Sequence, residues 1–259
     1  MAGHSKWANI KRQKARVDAV KGKVFAKMSR EIIVAARTGG GDPAGNFQLR
    51  TAIDKAKAAG VPNDNIDRAI AKGSGNLGAD DSYEAIRYEG YGPGGIAVLI
   101  EALTDNRNRT AADLRAAFSK SNGNLGETGC VGWMFEQKGV VTVAHPGDEE
   151  TLLEAAMEAG AETYELTTVL GRRDEEIPAA DLFCPPADLE ALDTALKDQG
   201  LTVHQSELRW MPSNTVTVED PDQARLLLKL MDALEDLDDV QSVTANFDMA
   251  EELIDAIAA

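Results

Sequence analysis

Lysine and arginine crowd the start of this chain: nine of the first thirty residues are basic and only Asp18 opposes them. Cations spaced this closely attract phosphate chains and displace their condensed counterions, so binding of that kind weakens steeply with salt. The rest of the chain has the opposite sign. Residues 1–75 hold 15 basic and 6 acidic side chains, net +9, the remainder holds 12 against 37, net -25, and the whole carries -16. An acidic remainder repels the same polymer, so contact is expected through one end rather than by wrapping. Lys6, Lys11, Arg12, Lys14, Arg16, Lys21, Lys23 and Lys27 are the candidate phosphate contacts. The plainer alternative is a solvated helix face, which is what most charge runs are. Trp7 sits among these cations and can either stack on an exposed base or pin the first helix beside Ile10.

A second constellation, Asp105-Asn106-Arg107-Asn108-Arg109-Thr110, joins an expected strand to an expected helix start. There Asp or Asn can cap, free N–H groups favour anions, and Arg107 and Arg109 can grip a phosphate. A capped helix with two solvated arginines is the alternative.

Other chemistry finds no support in the residue types. Gly90-Tyr91-Gly92-Pro93-Gly94-Gly95 satisfies the G-x-G-x-x-G spacing of a dinucleotide cradle. Ile96 to Ile100 then reads as a strand rather than a helix, and Pro93 lacks an N–H, so a structural turn is expected. His4, His145 and His204 have no metal-ligand spacing, and no serine stands in a nucleophile elbow. Cys130 and Cys184 lie 54 residues apart, consistent with buried, inert thiols. Glu235, Asp236, Asp238 and Asp239 cluster at one helix end, yet an acidic surface supplies such clusters without catalysis. No enzyme activity, metal or cofactor is expected. No apolar stretch is long enough to cross a bilayer, so no membrane role and a cytoplasmic location are expected. Trp133 and Phe135 read as one strand face engaged in core packing, and the Lys/Arg-Gly-aromatic motifs of RNA-recognition folds are missing.

Hydrophobic periodicity supplies the elements that would hold these residues. Ser5 can cap a helix reaching about Asp18, Val24, Met28, Ile32 and Ala35 share the next face, and Thr38 to Gly41 ends it. Asp42-Pro43 reads as the cap and first turn of a helix carrying Leu49, Ile53 and Ala56 and closed by Gly60; Ile66 and Ile70 mark a short last helix. From Tyr83 the period changes: strands Ala85–Tyr91 and Ile96–Leu103 form a hairpin, Asn108–Ser121 is a helix and Val131–Phe135 a strand. Residues 139–210 read as strand 139–143, helix 149–159, strands 163–169 and 180–184, helix 187–199 and strand 201–209, a ferredoxin-like βαββαβ order, with net charge -12. A strand Thr215–Val218, a helix from Pro221 to Leu237 and a strand Val240–Phe247 then remain to complete the earlier sheet.

The expected architecture is α+β: an N-terminal helical bundle followed by two α/β sandwich domains, at least one ferredoxin-like. Its expected domains are a basic helical one at 1–75, a discontinuous α/β one at 76–138 plus 211–250, and an inserted acidic one at 139–210.

The strings MAGHSKWANIK, TGGGDP, AIDKAKAAGVPNDNIDRAI, YEGYGPGG, TDNRNRTAADLR and FSKSNGNLG closely resemble the YebC family, also called PmpR-type regulators, across most of the chain. The resemblance implies a helical N-terminal domain with two α/β domains and no catalytic activity. It also implies a probable transcriptional regulator that binds DNA, although mitochondrial relatives act as translational activators and bacterial ones are linked to translating ribosomes. The family's start corresponds to residues 1–37 and its strand-to-helix loop to Thr104 to Thr110. The expected partner is therefore nucleic acid, DNA or ribosomal RNA, with the ribosome and RNA as the alternative to promoter DNA. A third class is an adaptor whose acidic domains recruit basic proteins.

Overall fold

A computed structural model of the chain describes residues 18–75, 83–170 and 175–258. The expected helix from Ser5, with Lys6, Trp7, Lys11, Arg12, Lys14 and Arg16, lies outside the described residues. The described residues form two compact bodies, 18–135 with 212–258, and 136–211.

The first body opens with three helices: α1 (Asp18–Gly39), α2 (Phe47–Ala58) and α3 (Asn63–Gly73). Their apolar stripes meet in a core of their own, with Ile32, Ile33 and Ala36 of α1 against Leu49, Ala52, Ile53 and Ala56 of α2 and Ile66 and Ala69 of α3. Gly40, at φ 90°, turns the chain out of α1 in a conformation that L side chains avoid. The cap of α2 is not Asp42, as expected, but Asn46. Asp42 spends its Oδ1 on Ala44 N, 3.0 Å away, within its own turn. Asn46 Oδ1 accepts from Leu49 N at 3.0 Å while its Nδ2 donates to Ala35 O at 2.9 Å and Gly40 O at 2.8 Å. A carboxylate can only accept, so the amide alone can cap one helix and donate to carbonyls at the close of another.

Close approach of α1 and α3 rests on Gly73, where an added Cβ would lie 2.5 Å from Ile33 O and 2.7 Å from Ala36 Cβ. Gly73→Ala is expected to destabilise by about 1–3 kcal/mol through overpacking, despite the better helix propensity of alanine. A fall in the urea midpoint checks this; an unchanged or higher midpoint would show that the helices yield freely.

Strands β1 (Glu84–Tyr91) and β2 (Ala97–Thr104) form the hairpin, in register from Tyr91 opposite Ala97 to Glu84 opposite Thr104. In its turn Gly92 N donates to Ile96 O at 2.8 Å and Gly95 N to Gly92 O at 3.1 Å, so both amides are consumed by the hairpin itself. Next come α4 (Arg107–Lys120) and a two-residue strand β3 (Asn124–Leu125), absent from the expectation, which pairs with the outer side of β1. The expected strand at Val131–Phe135 is a correction: residues Gly132–Met134 make one 3-10 turn, and the strand begins only at Phe135.

Strand β4 (Phe135–Ala144) leads through α5 (Glu149–Ala159), β5 (Thr163–Leu170), β6 (Glu176–Cys184) and α6 (Leu189–Asp198) to β7 (Thr202–Pro212), with sheet order β5-β6-β4-β7. That is the ferredoxin-like order. Cys184 is buried in it, and burial pushes its thiol up to about 11, which keeps it protonated and unreactive.

Returning to the first body, the chain adds β8 (Val216–Thr217), α7 (Pro221–Glu235), β9 (Val240–Ala245), β10 (Phe247–Asp248) and α8 (Glu251–Ala258). β9 pairs antiparallel with β2, giving the sheet order β3-β1-β2-β9. The expected strand near 215–218 does not join that sheet; its two residues pair in parallel with β10. Phe118 and Leu114 of α4 and Leu227, Leu230 and Leu234 of α7 are fully buried, as are Val98 and Ile100 of β2. The fold is α+β. Among the described residues no helix is long and apolar enough to cross a membrane.

Candidate nucleic-acid interface

Lys21, Lys23 and Lys27 all lie on α1. Lys23, Lys27 and Arg30, spaced i, i+4 and i+7, share one helix face. That face meets the protein's own backbone: Lys23 Nζ donates to Asp236 O at 3.3 Å, Lys27 Nζ to Glu235 O and Arg30 Nη1 to Asp238 O. These carbonyls belong to the last turn of α7 and the loop after it, where no intrahelical donor is left and the helix dipole is negative. Of the expected phosphate contacts, Lys27 thus helps dock the helical bundle onto the sandwich, and Lys23, which stays exposed, adds a longer contact. The spacing of the cations and the acidic end of α7 were both visible in the sequence; their meeting was not.

The strand-to-helix loop divides its two arginines. Asn106 caps α4, its Oδ1 accepting from Arg109 N at 3.1 Å. Arg109 Nη2 reaches Asp105 Oδ1 and Asp239 Oδ2, both at 2.8 Å. The same Asp239 oxygen accepts from Thr110 Oγ1 at 2.8 Å and Thr104 Oγ1 at 3.1 Å, and Asp239 O takes Leu103 N at 2.8 Å. Burial alone would raise the Asp239 carboxyl, but Arg109 and the two hydroxyls hold it below its ordinary value. Hydrogen bonds from Arg109 to Asp239 and Asp105 push its guanidinium further up. Arg109 therefore ties the start of α4 to the start of β9. Arg107 is 68% exposed, its Nε 3.9 Å from Glu84 Oε2, at the edge of a cleft of about 530 Å³ that Tyr88, Asn106 and Asn108 also line. A second cleft, about 490 Å³, is lined by Lys23, Arg30 and Arg109 but by five aspartates as well, Asp105, Asp113, Asp236, Asp238 and Asp239, so it is not a basic surface.

Trp133 is the residue that sequence reasoning misplaced most. It is 71% exposed rather than in a core, whereas Phe135, its expected partner on one face, is 6% exposed. The alternation across 131–135 imitates a strand, but the backbone is tethered from outside. Arg87, Glu89 and Tyr91 share one face of β1, since side chains alternate along a strand. Glu89, 1% exposed, accepts Val131 N at 2.8 Å and Gly132 N at 2.6 Å on its Oε2. Cys130 O accepts from Tyr91 Oη at 3.0 Å and from Trp133 Nε1 at 3.2 Å. Burial would raise the Glu89 carboxyl, but backbone N–H groups of Gly129, Val131 and Gly132 and the charge of Arg87 bring it below its ordinary value. Burial and Glu89 together push the Cys130 thiol up, away from the reactive thiolate.

Among the described residues no group of three or more His, Cys, Asp or Glu side chains could hold a metal ion.

Comparison with known proteins bears on the whole chain. Residues 5–76 match the family model described as the TACO1/YebC protein N-terminal domain, and residues 83–247 the model of the TACO1/YebC second and third domain. A relative from Trichormus variabilis, named "Probable transcriptional regulatory protein", is 68% identical over 255 residues, 98% of each chain. One of the same description from Thermosynechococcus vestitus is 66% identical over 257 residues, 99% of each. The crystal structure of a conserved hypothetical protein from Aquifex aeolicus superposes with a TM-score of 0.79 at 44% identity, covering 92% of this chain and 94% of that one. The fold and the sequence thus agree along nearly the full length, and this chain belongs to the TACO1/YebC family.

Proposed function

We propose that this protein is a non-enzymatic regulator of gene expression, acting in the cytoplasm, that binds nucleic acid through its basic amino-terminal segment. The observation that carries this is the charge polarity: net +9 in residues 1–75 against net -25 in the rest. The names of its relatives add that regulation of transcription is the role ascribed to such proteins. With Lys23 and Lys27 turned to backbone carbonyls, the interface rests on Lys6, Lys11, Arg12, Lys14, Arg16 and Lys21, with Arg107 as an auxiliary contact. Phosphate contacts fix position but carry no base identity, so salt-sensitive binding with modest sequence preference follows.

A second reading has its own support. The 139–210 insert, net -12, repels a duplex laid along the protein, whereas docking by one end suits the dense, shaped phosphate surface of ribosomal RNA.

Replacing Lys11, Arg12, Lys14 and Arg16 together by Glu is expected to abolish binding to both DNA and RNA while leaving the circular dichroism and melting temperature unchanged. Retained binding would discard the basic segment as the interface. Cross-linking in cells followed by sequencing separates the two polymers; recovery dominated by ribosomal RNA would overturn a promoter-binding role.

A further inference from the structure

We infer that Trp133 and Arg87 form a stacking platform for an unpaired base of single-stranded nucleic acid; the inference rests on the nucleic-acid reading above and gives it a second contact. The indole is 71% exposed, the largest exposure among the bulky apolar side chains described. Tryptophan and arginine are enriched among the few residues that carry most of the energy of binding interfaces. The turn that carries Trp133 is held from β1. A carboxylate 1% exposed, Glu89, holds the Val131 and Gly132 amides, and the phenol of Tyr91 holds the same Cys130 carbonyl that the indole N–H uses.

Two features choose the occupant. Trp133 Nε1 is already bonded to Cys130 O, so what the ring offers a partner is its π face, suited to stacking rather than to a hydrogen-bonded protein pocket. Beside it, Glu89 also sets a cation: Arg87 Nε lies 3.7 Å from Glu89 Oε1, an oxygen that is buried without a hydrogen bond. The Arg87 side chain is 41% exposed and adds positive charge near the turn that carries the indole, which favours the phosphate of a stacked base. One buried carboxylate thus contacts both the turn that carries the indole and the neighbouring cation. The local charge does not oppose it: residues 83–135 hold 5 basic and 6 acidic side chains, unlike the strongly acidic insert. Duplex DNA keeps its bases stacked inside and cannot use such a platform; a single strand or an RNA loop can.

The test uses the full chain with Trp7 and Trp210 replaced by Phe, so that Trp133 is the sole indole, and an oligo(U) of about 12 nucleotides, a length spanning one typical single-strand site, alongside a duplex of the same length. Saturable quenching of the indole by oligo(U) is expected. Trp133→Ala should weaken oligo(U) binding about tenfold, as loss of one base stack does, and leave duplex binding within about twofold. Arg87→Gln should lower the salt slope for oligo(U) by about one. Absence of quenching at saturation, unchanged oligo(U) affinity in Trp133→Ala, or equal losses for both polymers would each overturn the platform. So would loss of a co-purifying protein from Trp133→Ala with oligo(U) affinity intact, which would assign the indole to a protein partner. If the unsubstituted chain binds neither polymer, the nucleic-acid reading itself falls and the platform with it. Since Trp133 is exposed, an unchanged melting temperature serves to show that Trp133→Ala folds.

Discussion

Asp239→Ala is expected to lower the free energy of unfolding by about 3 kcal/mol. The size follows from what the side chain satisfies. Its Oδ2 collects Arg109 Nη2, Thr110 Oγ1 and Thr104 Oγ1, and Thr104 and Thr110 are 0% and 1% exposed. Two buried hydroxyls left without the carboxylate cost about 1–3 kcal/mol each, tempered because Thr110 Oγ1 still bonds Thr104 Oγ1 at 2.8 Å. The ion pair adds less than a fully buried one would, since the Arg109 side chain is 47% exposed and keeps Asp105. Asp239→Asn preserves an acceptor and should lose roughly half as much. Arg109→Gln separates structure from binding: on this geometry it destabilises while changing nucleic-acid affinity little. The measurement is urea denaturation of all three variants at neutral pH. A loss under about 1 kcal/mol for Asp239→Ala would show that α4 and β9 are held by their packing alone and that the network is ornamental.

Much of this fold was legible because its signals are local. The alternation in 84–91 and 97–104 and the glycines between them announce a hairpin, and the βαββαβ order of 139–210 announces the sheet order β5-β6-β4-β7 before any coordinate is known. What failed to show has partners far along the chain. Asp42 and Asn46 are both good caps, and only the carbonyls of Ala35 and Gly40, brought close by the α1–α2 turn, select the amide. Trp133 and Phe135 alternate as strand residues should, yet the amides of 131 and 132 answer to Glu89, more than forty residues earlier. For the candidate interface the limit is more basic. A charge count cannot distinguish a lysine facing solvent from one facing a carbonyl: Lys23 and Lys27 end on residues 236 and 235, and Arg109 on Asp239. Net charge reports the field at a distance, while the contacts of each cation are decided by tertiary structure.

Glu89 is the second position where a single change has a large expected effect, and it links stability to the exposed indole. Glu89→Ala removes the acceptor of two backbone amides, at 2.8 and 2.6 Å, the Val131 contact buried and the Gly132 contact partly so. Unsatisfied buried donors and the space left behind together amount to about 3–4 kcal/mol. Beyond the loss of stability, the 130–134 turn is untethered, so the emission and quenching of Trp133 should shift toward those of a mobile indole, and oligo(U) binding should fall as it does in Trp133→Ala. Glu89→Gln keeps one acceptor and should retain the turn at reduced stability. The pH dependence supplies an independent reading. Because the folded carboxyl is held below its ordinary value, its contribution is fully present above the unfolded value of about 4.3 and is lost as pH falls through the depressed folded value. The unsubstituted chain should therefore lose stability on acidification below about pH 4.5 more steeply than Glu89→Gln, whose side chain does not titrate there. Parallel stability curves for the two proteins between pH 7 and about pH 3.5 would show that Glu89 is not the charged anchor of the turn. A steeper curve for the unsubstituted chain, with the Trp133 signal changing over the same interval, ties the buried carboxylate and the displayed ring to one structural unit.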